Sequence, residues 1–441
     1  MGTSAHPFRR GHRGRALSLG LIGAMAASLL ASCGVLSSSS GKPTLVWYIN
    51  PDPTPPAGFS GPFGQADLAA QCSTPQYTIQ TQELPTSASD QRIQLARRLA
   101  AGDSSIDLMS LDPAFTAEFA AAGFLAPIPS SNAQQLSKGA LQGILQTATF
   151  NGKLIAVPLW ANTQVLWFRK SFAQKAGLDM SKPVTWDQII NAASQNGGTV
   201  GVQANLYEGY SVWINALVMG AGGQIVSDTS AGVDAKIGIN TTAGKDAAAV
   251  IDKLAHSSAA EPDLSVSNEG TVLTPFATPQ GAFQVNWTFV YPNYKADPAT
   301  FKDLGWARYP ETVAGKPSRP PVGGINIGIG AHTSHLSFAL QAVKCMTSQT
   351  SQIQYATQTG NMPANAAAYT NPQLKKAFPA DLLQLFKTSL GAGGPRPNSP
   401  YWSDISSAIQ STWHPPDSVT TSTPGSSSSF IENVLQGKAL L

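Results

Sequence analysis

Apolar positions along the chain follow two alternating periods. Short runs of adjacent or every-second apolar residues read as strands at 44–49 (TLVWYI), 77–84, 106–111, 153–160, 199–205, 281–287 and 323–330. Between them apolar residues recur at helical spacing. One helix covers 65–72. Another is capped by Asp90, carries Ile93, Ala96 and Leu99 on one face, and stops at Gly102. Further helices are predicted over 114–124, 185–193, 210–223, 242–255 and 334–346, the last capped by Ser334. Asp112-Pro113 joins a strand to a helix, with Pro at the first helical position and Asp112 where caps and ligand groups both occur. Strands alternating with helices predict parallel α/β sheets. After 287 come Pro-rich connections. The C-terminal part is mainly helical, interrupted by the loop GAGGPRPNSP (391–400) and the low-complexity stretch TTSTPGSSSS (420–429).

The N-terminus has a different pattern. A basic stretch ending at Arg15 precedes an apolar run over 16–31 that closes on Leu30-Ala31-Ser32-Cys33-Gly34. This is the layout of a secretory signal peptide, and its end resembles a lipobox, in which cleavage leaves a lipid-modified Cys. The run is short for a membrane span and contains two Gly. Residues 1–32 are therefore expected to be a signal peptide. Cys33 is the expected lipid attachment, and 33–42 a flexible tether holding the body outside the cytoplasmic membrane.

At 441 residues the chain is long enough for two or three lobes around a large core. Only 12% of its residues are charged, so its surface is polar but weakly charged. The net charge of +3 owes four Arg to the first 32 residues. Removing those four from 28 leaves 24 basic against 25 acidic residues. A protein so balanced lacks the basic face that nucleic-acid binding requires.

With Cys33 assigned to the lipid, Cys72 and Cys345 remain. Outside the cytoplasm two remaining thiols form one disulfide or stay as buried free thiols, and the disulfide is the expectation. Nucleotide-binding, nucleophile-elbow, zinc-protease and EF-hand motifs do not occur. His332 and His335 form H-x-x-H, read as a helix-start loop; no metal site and no cofactor are expected. Nine Trp residues stand out. Trp160, Trp287 and Trp402 fall at strand ends or in loops, where an indole can stack on a sugar ring or simply pack in the core.

The run 92–128 (RIQLARRLAAGDSSIDLMSLDPAFTAEFAAAGFLAPI), together with the lipobox and the α/β body, resembles the extracellular solute-binding proteins of carbohydrate ABC importers, of the maltose-binding type. Within that family, VQANLYEGYSVW, FQVNWTFV and PPVGGINIGI are most similar to the trehalose-binding lipoproteins of mycobacterial trehalose-recycling importers. The resemblance implies a two-lobe periplasmic-binding-protein-like α/β fold, with ligand in an interlobe cleft and hinge crossings. It places 43–158 with 302–349 in lobe one, and 159–301 with 350–441 in lobe two. Both cysteines then fall in lobe one.

The same resemblance implies a ligand set. Asp112, Glu208 and Glu269 would accept sugar hydroxyls, although Asp112 also suits a cap and the two Glu a solvated surface. Where the related pattern has two adjacent acids before the glycine that follows Glu269, this chain has Asn268. Asn162 would donate and accept, or merely cap a loop. Trp287 would stack on the ring or pack in the core. Gly324, within the stretch 323–326, would offer backbone groups at close approach. Arg396 would act as a fork donor or as a surface Arg, and Asn50 is a weaker candidate. The implied protein is no enzyme: a monomeric, lipid-anchored receptor that captures a neutral disaccharide, foremost trehalose, for membrane permease subunits served by a separate ATPase. The competing expectation is a secreted glycoside hydrolase using two of the three carboxylates.

Overall fold

A computed structural model describes residues 41–441. The expected signal peptide, Cys33 and most of the tether lie outside the described residues. Residues 42–441 form one compact unit.

Its centre is a ten-stranded mixed sheet. The strands are β1 (Thr44–Ile49), β2 (Thr78–Glu83), β3 (Leu108–Leu111), β4 (Val157–Arg169), β5 (Thr199–Gly201), β6 (Gly281–Trp287), β7 (Leu304–Ala307), β8 (Pro321–Ile329), β9 (Met362–Pro363) and β10 (Gly394–Pro395). The main path runs β2-β1-β3-β8-β4-β6-β5, with β7 and β9 paired to β4 and β10 paired to β8. The expected parallel pairing holds at each end of this path, for β1 with β2 and β3 and for β5 with β6. It fails in the middle. β8 is antiparallel to both β3 and β4, and β4 is antiparallel to β6. The middle strands are long connections that cross between the two ends, so their direction is set by where the chain has to go rather than by a βαβ crossover.

The strand expected to end at Trp160 instead continues to Arg169. Residues 157–163 pair with β8 and residues 164–168 with β6. Twelve of its thirteen residues are buried, which removes the alternation that would have marked its true length. Asn162 therefore lies within a strand, not in a loop past a crossing.

The helices relevant to the cleft are α1 (Gly64–Cys72), α2 (Ala88–Ala100), α3 (Glu208–Gly220), α4 (Leu336–Met346), α5 (Gln349–Thr359), α6 (Trp402–Trp413) and α7 (Thr423–Leu435). Two expected caps shift. α2 starts three residues early, with Ser87 Oγ accepting the Asp90 amide, so Asp90 sits in the first turn, where a carboxylate favours the helix dipole. At α4 the cap position is His335, not Ser334, with no side-chain capping bond; Thr333 accepts the His335 amide just before the helix. The His335 ring bonds the buried Asp107 carboxylate at 3.0 Å, tying the start of that helix to the core. The low-complexity stretch also departs from expectation. Its Ser-rich end is the first half of α7, where Ser427 and Ser428 are buried against the body, because small side chains permit close packing that composition alone does not reveal.

Among the described residues the buried apolar ones form three clusters. One, around Trp47, Leu68, Leu159, Ile327 and Ala342, lies under α1 and α4. There the structure joins Cys72 to Cys345 in a disulfide, with Cα atoms 5.7 Å apart. A larger core buries Trp186, Trp213, Tyr309 and Trp402 with much of α3 and α6, and extends to Tyr48, Leu95 and Met109 of β1, α2 and β3.

Candidate ligand-binding cleft

A cleft of about 710 Å³ opens at the ends of these strands. Asn50, Asp112, Asn162, Glu208, Glu269, Trp287, Gly324 and Arg396 all line it. They arrive from distant parts of the chain: Asn50 follows β1, Asp112 follows β3, Asn162 is in β4, Glu208 opens α3, Trp287 ends β6 and Arg396 follows β10. The short β10 pairs Gly394 and Pro395 with Pro321 and Val322, which turns the Arg396 side chain inward.

Arg396 is the centre of the charged end. It donates to Asp112 Oδ1 at 2.6 Å and to Glu208 Oε1 at 2.7 Å. Its side chain is only 5% exposed, so the two ion pairs form in a desolvated setting. Burial opposes the guanidinium charge, but the two carboxylates outweigh it and hold Arg396 more firmly protonated than usual. Asp112 also caps the turn after β3, accepting the Ala114 amide at 2.9 Å, so the cap and the cleft position coincide in one residue.

Glu208 differs from its expected role. Besides Arg396, it accepts Trp402 Nε1 at 2.7 Å and Ser406 Oγ at 2.5 Å. Ser406 is held in turn by Ser211 and Gln410. Burial raises the Glu208 carboxyl above its ordinary range, with Arg396 pulling it back. Both its oxygens are spent on protein donors, so Glu208 holds Arg396 in place and is not a free acceptor. Trp402 is fully buried and serves the same network, not a sugar face.

At the opposite wall Glu269 accepts the Tyr207 hydroxyl at 2.8 Å. Burial pushes its carboxyl up, opposed by hydrogen bonds that include Tyr207 and Trp287. The Tyr207 ring rests on the first turn of α3, where a Cβ on Gly209 would fall 2.1 Å from the Tyr207 hydroxyl oxygen. Sequence reasoning misses Tyr207, although the Tyr-Glu-Gly spacing carries it. Asn162 is also largely committed. It donates to Asn361 Oδ1 at 3.0 Å, and its own Oδ1 accepts Thr288 Oγ1 at 2.7 Å, joining three crossing segments at the cleft floor.

The ring face of Trp287 is partly exposed and lies over Gly323, where a Cβ would come within 3.0 Å of the indole. Gly324 has φ +130°, and a Cβ there would collide with the Trp160 carbonyl at 2.2 Å. Along β8, residues 323–325 lie between the segment paired with β10 and the segment paired with β3. Only β4 flanks them, which leaves one side of their backbone open where they line the cleft. Asn326, at the end of the expected backbone stretch, does not line the cleft; its amide donates to Thr116 and Thr147. Trp160 does line it, stacked on Tyr355 with ring centres 4.6 Å apart. Asn50 Oδ1 is buried with no partner, an uncommitted acceptor at the end of β1.

A model of the family described as bacterial extracellular solute-binding protein matches residues 51–353, more than half of the chain. The chain belongs to that family. A probable ABC transporter-binding protein of Deinococcus radiodurans is 26% identical over 258 residues, which are 55% of this chain; the match spans 59% of the Deinococcus protein. Among solved structures, maltose-bound MalE3 of T. maritima superposes with a TM-score of 0.76 at 21% identity, covering 90% of this chain and all of the other. The GacH receptor of Streptomyces glaucescens gives 0.74 at 21% identity with the same coverage. At such identities the likeness establishes the fold: a two-lobe α/β binding protein of the MalE type. Asp112, Asn162, Glu208, Glu269, Trp287 and Gly324 fall inside the family match; Asn50 and Arg396 fall outside it.

Proposed function

We propose that this solute-binding protein is the receptor of an ABC sugar importer. It captures a neutral disaccharide, foremost trehalose, and hands it to permease subunits driven by a separate ATPase. The observation that carries the reading is the convergence of an indole, buried carboxylates and a fork donor on one cleft, whose Arg396 is already paired. Arg396 offsets one of the two charges of Asp112 and Glu208, and burial favours the neutral forms of Glu208 and Glu269. A hydroxyl-rich ligand without negative charge suits such a site, because an anion would meet several carboxylates and only an already paired Arg396.

In this reading Asp112 accepts sugar hydroxyls through Oδ2, Glu269 through its remaining lone pairs, and Trp287 offers its ring face. Arg396 retains N–H groups beyond the two spent on carboxylates. Asn50 and the 323–325 backbone supply further polar partners. Lobe one comprises 43–158 with 302–349 and lobe two 159–301 with 350–441, so Arg396 bridges them. The protein acts as a monomer anchored through Cys33 at the outer face of the cytoplasmic membrane. Among the described residues no helix is long and apolar enough to cross a membrane.

The competing hydrolase reading requires two carboxylates free to act as acid and base or nucleophile. Both oxygens of Glu208 accept from protein donors, three in all, and one oxygen of Asp112 is held by Arg396 and the Ala114 amide. Both are thus poorly placed to exchange protons with a substrate.

Calorimetric titration with a sugar panel, followed by chromatography of the recovered sugar, tests the proposal. Trehalose is expected to bind and to be recovered intact. Asp112→Ala is expected to weaken it by roughly 10- to 150-fold, the range for a hydrogen bond to a charged group. Recovery of cleaved sugar, or binding within twofold of the parent in Asp112→Ala, would overturn the assignment.

A further inference from the structure

The cleft is larger than its polar site. A disaccharide needs roughly the lower end of the 300 to 1,000 Å³ that ligand pockets span, whereas this one offers about 710 Å³. The surplus lies toward a different set of residues. On one wall the loop after β1 presents Pro53, Pro55, Pro56 and Phe63; on the other the segment after β6 presents Phe289 and Pro292.

This end is built, not incidental. Asp52 anchors the Pro-rich loop by accepting the Gln65 amide at 2.6 Å, at the start of α1, and the Tyr355 hydroxyl at 2.6 Å, from α5. Beneath it, Gln358 Oε1 accepts the Gly64 amide at 2.8 Å. Across the cleft, Gly360 has φ +80°, and a Cβ there would lie 2.6 Å from Pro292, so only glycine lets the second wall close onto the same crossing segment.

The more buried polar groups at this end are already in use, although the exposed Thr54 and Asn293 side chains also line it. Asp52 is taken by Gln65 and Tyr355, Gln358 by Gly64 and Asp67, and the Thr359 hydroxyl by Tyr355 O. The prolines have no N–H. A further sugar ring would bring more hydroxyls than Thr54 and Asn293 can partner, and burying the rest unpaired is costly.

We propose that this end is a subsite for an apolar substituent, alkyl, acyl or aryl, carried by the sugar held in the polar site. The inference rests on the sugar-receptor reading and narrows its substrate class to glycosides or sugar esters with a hydrophobic group. The polar end fixes the sugar, and the proline and phenylalanine walls remove the substituent from water.

Four ligands titrated into the protein test this: trehalose, 6-O-hexanoyl trehalose, maltose and hexyl β-maltoside, with maltotetraose as the long-sugar control. Each methylene buried is worth about fourfold in affinity. At least one hexyl or hexanoyl ligand is expected to bind tenfold or more tightly than its parent sugar, with a more negative heat-capacity change. Phe63→Ser and, separately, Pro55→Ser are expected to reduce that gain while leaving parent-sugar binding within twofold. Parent sugars that bind with no gain from either chain would overturn the subsite and leave the receptor reading intact. A gain for maltotetraose alone would assign this end to further sugar rings, against the proposal. A gain that survives both substitutions would overturn the location. No binding by any of the five would overturn the sugar reading and this inference with it.

Discussion

The Arg396 guanidinium reaches Glu208 at 2.7 Å across 188 residues of sequence, and the pair is almost completely shielded from water. One ion pair thus ties the short β10 strand to the start of α3. A second, to Asp112, ties the same guanidinium to the end of β3. The fork geometry of Arg matters here, since a Lys ammonium could not address two carboxylates from fixed directions equally well.

Removing that fork should cost stability as well as affinity. In Arg396→Ala, Glu208 stays buried with only Trp402 and Ser406 as donors. Breaking a buried pair on one side typically costs about 3 to 5 kcal/mol. The expected result is a lower urea midpoint for Arg396→Ala, partly restored in Arg396→Ala/Glu208→Gln, where the unpaired charge is gone. Equal midpoints for the parent and the single variant would show that the ion pairs contribute nothing.

Gly323 should tune the indole. A Cβ there would come within 3.0 Å of the Trp287 ring, forcing a tilt without breaking the strand. Gly323→Ala is expected to weaken sugar binding by roughly 3- to 10-fold, and Trp287→Ala by more, because an aromatic contact is worth about 0.5 to 1.5 kcal/mol beyond its buried area. Calorimetry on both variants checks the order, and thermal unfolding checks that Gly323→Ala stays folded.

Glu261 should make stability depend on pH. It is 3% exposed, its Oε2 has no partner, and burial followed by the nearby Asp263 charge pushes its carboxyl from 4.5 up to about 8. Because the folded value is raised, its contribution is fully present below pH 4.5 and is lost as pH rises toward 8. Each pH unit between the ordinary and the raised value is worth about 1.4 kcal/mol, so the effect is capped at a few kcal/mol. Glu261→Gln is expected to raise the urea midpoint at pH 8 relative to the parent and to narrow that advantage at pH 5. An advantage of the same size at both values would rule out titration of Glu261 as the cause.

The Cys72–Cys345 bridge should support one end of the molecule without shaping the cleft. Both residues sit on helices over the same core, α1 and α4. Cys72→Ser/Cys345→Ser is expected to lose about 2 to 4 kcal/mol of stability, while sugar affinity stays within threefold. Thiol titration of the denatured parent, before and after reduction, should show two thiols gained.

Much of this protein is legible along its sequence. The strand and helix runs predict most of the longer elements from Thr44 to Met346, though not β7 or the short helices around it, because burial on one face writes a period into the chain that needs no partner to be seen. The eight candidate cleft residues, carried by local motifs, do meet on one cleft. The tertiary structure decides what each can still offer. Glu208 and Asn162 read as ligand groups along the chain, yet their polar atoms are largely taken by residues 126 to 199 positions away. Likewise β4 reads short in the sequence, since a strand buried on both faces loses its alternation, and the antiparallel middle of the sheet follows from crossings no local pattern encodes. Residue type fixes how many hydrogen bonds a side chain can make; only the fold determines which of them are already made, because the partners come from elsewhere in the chain.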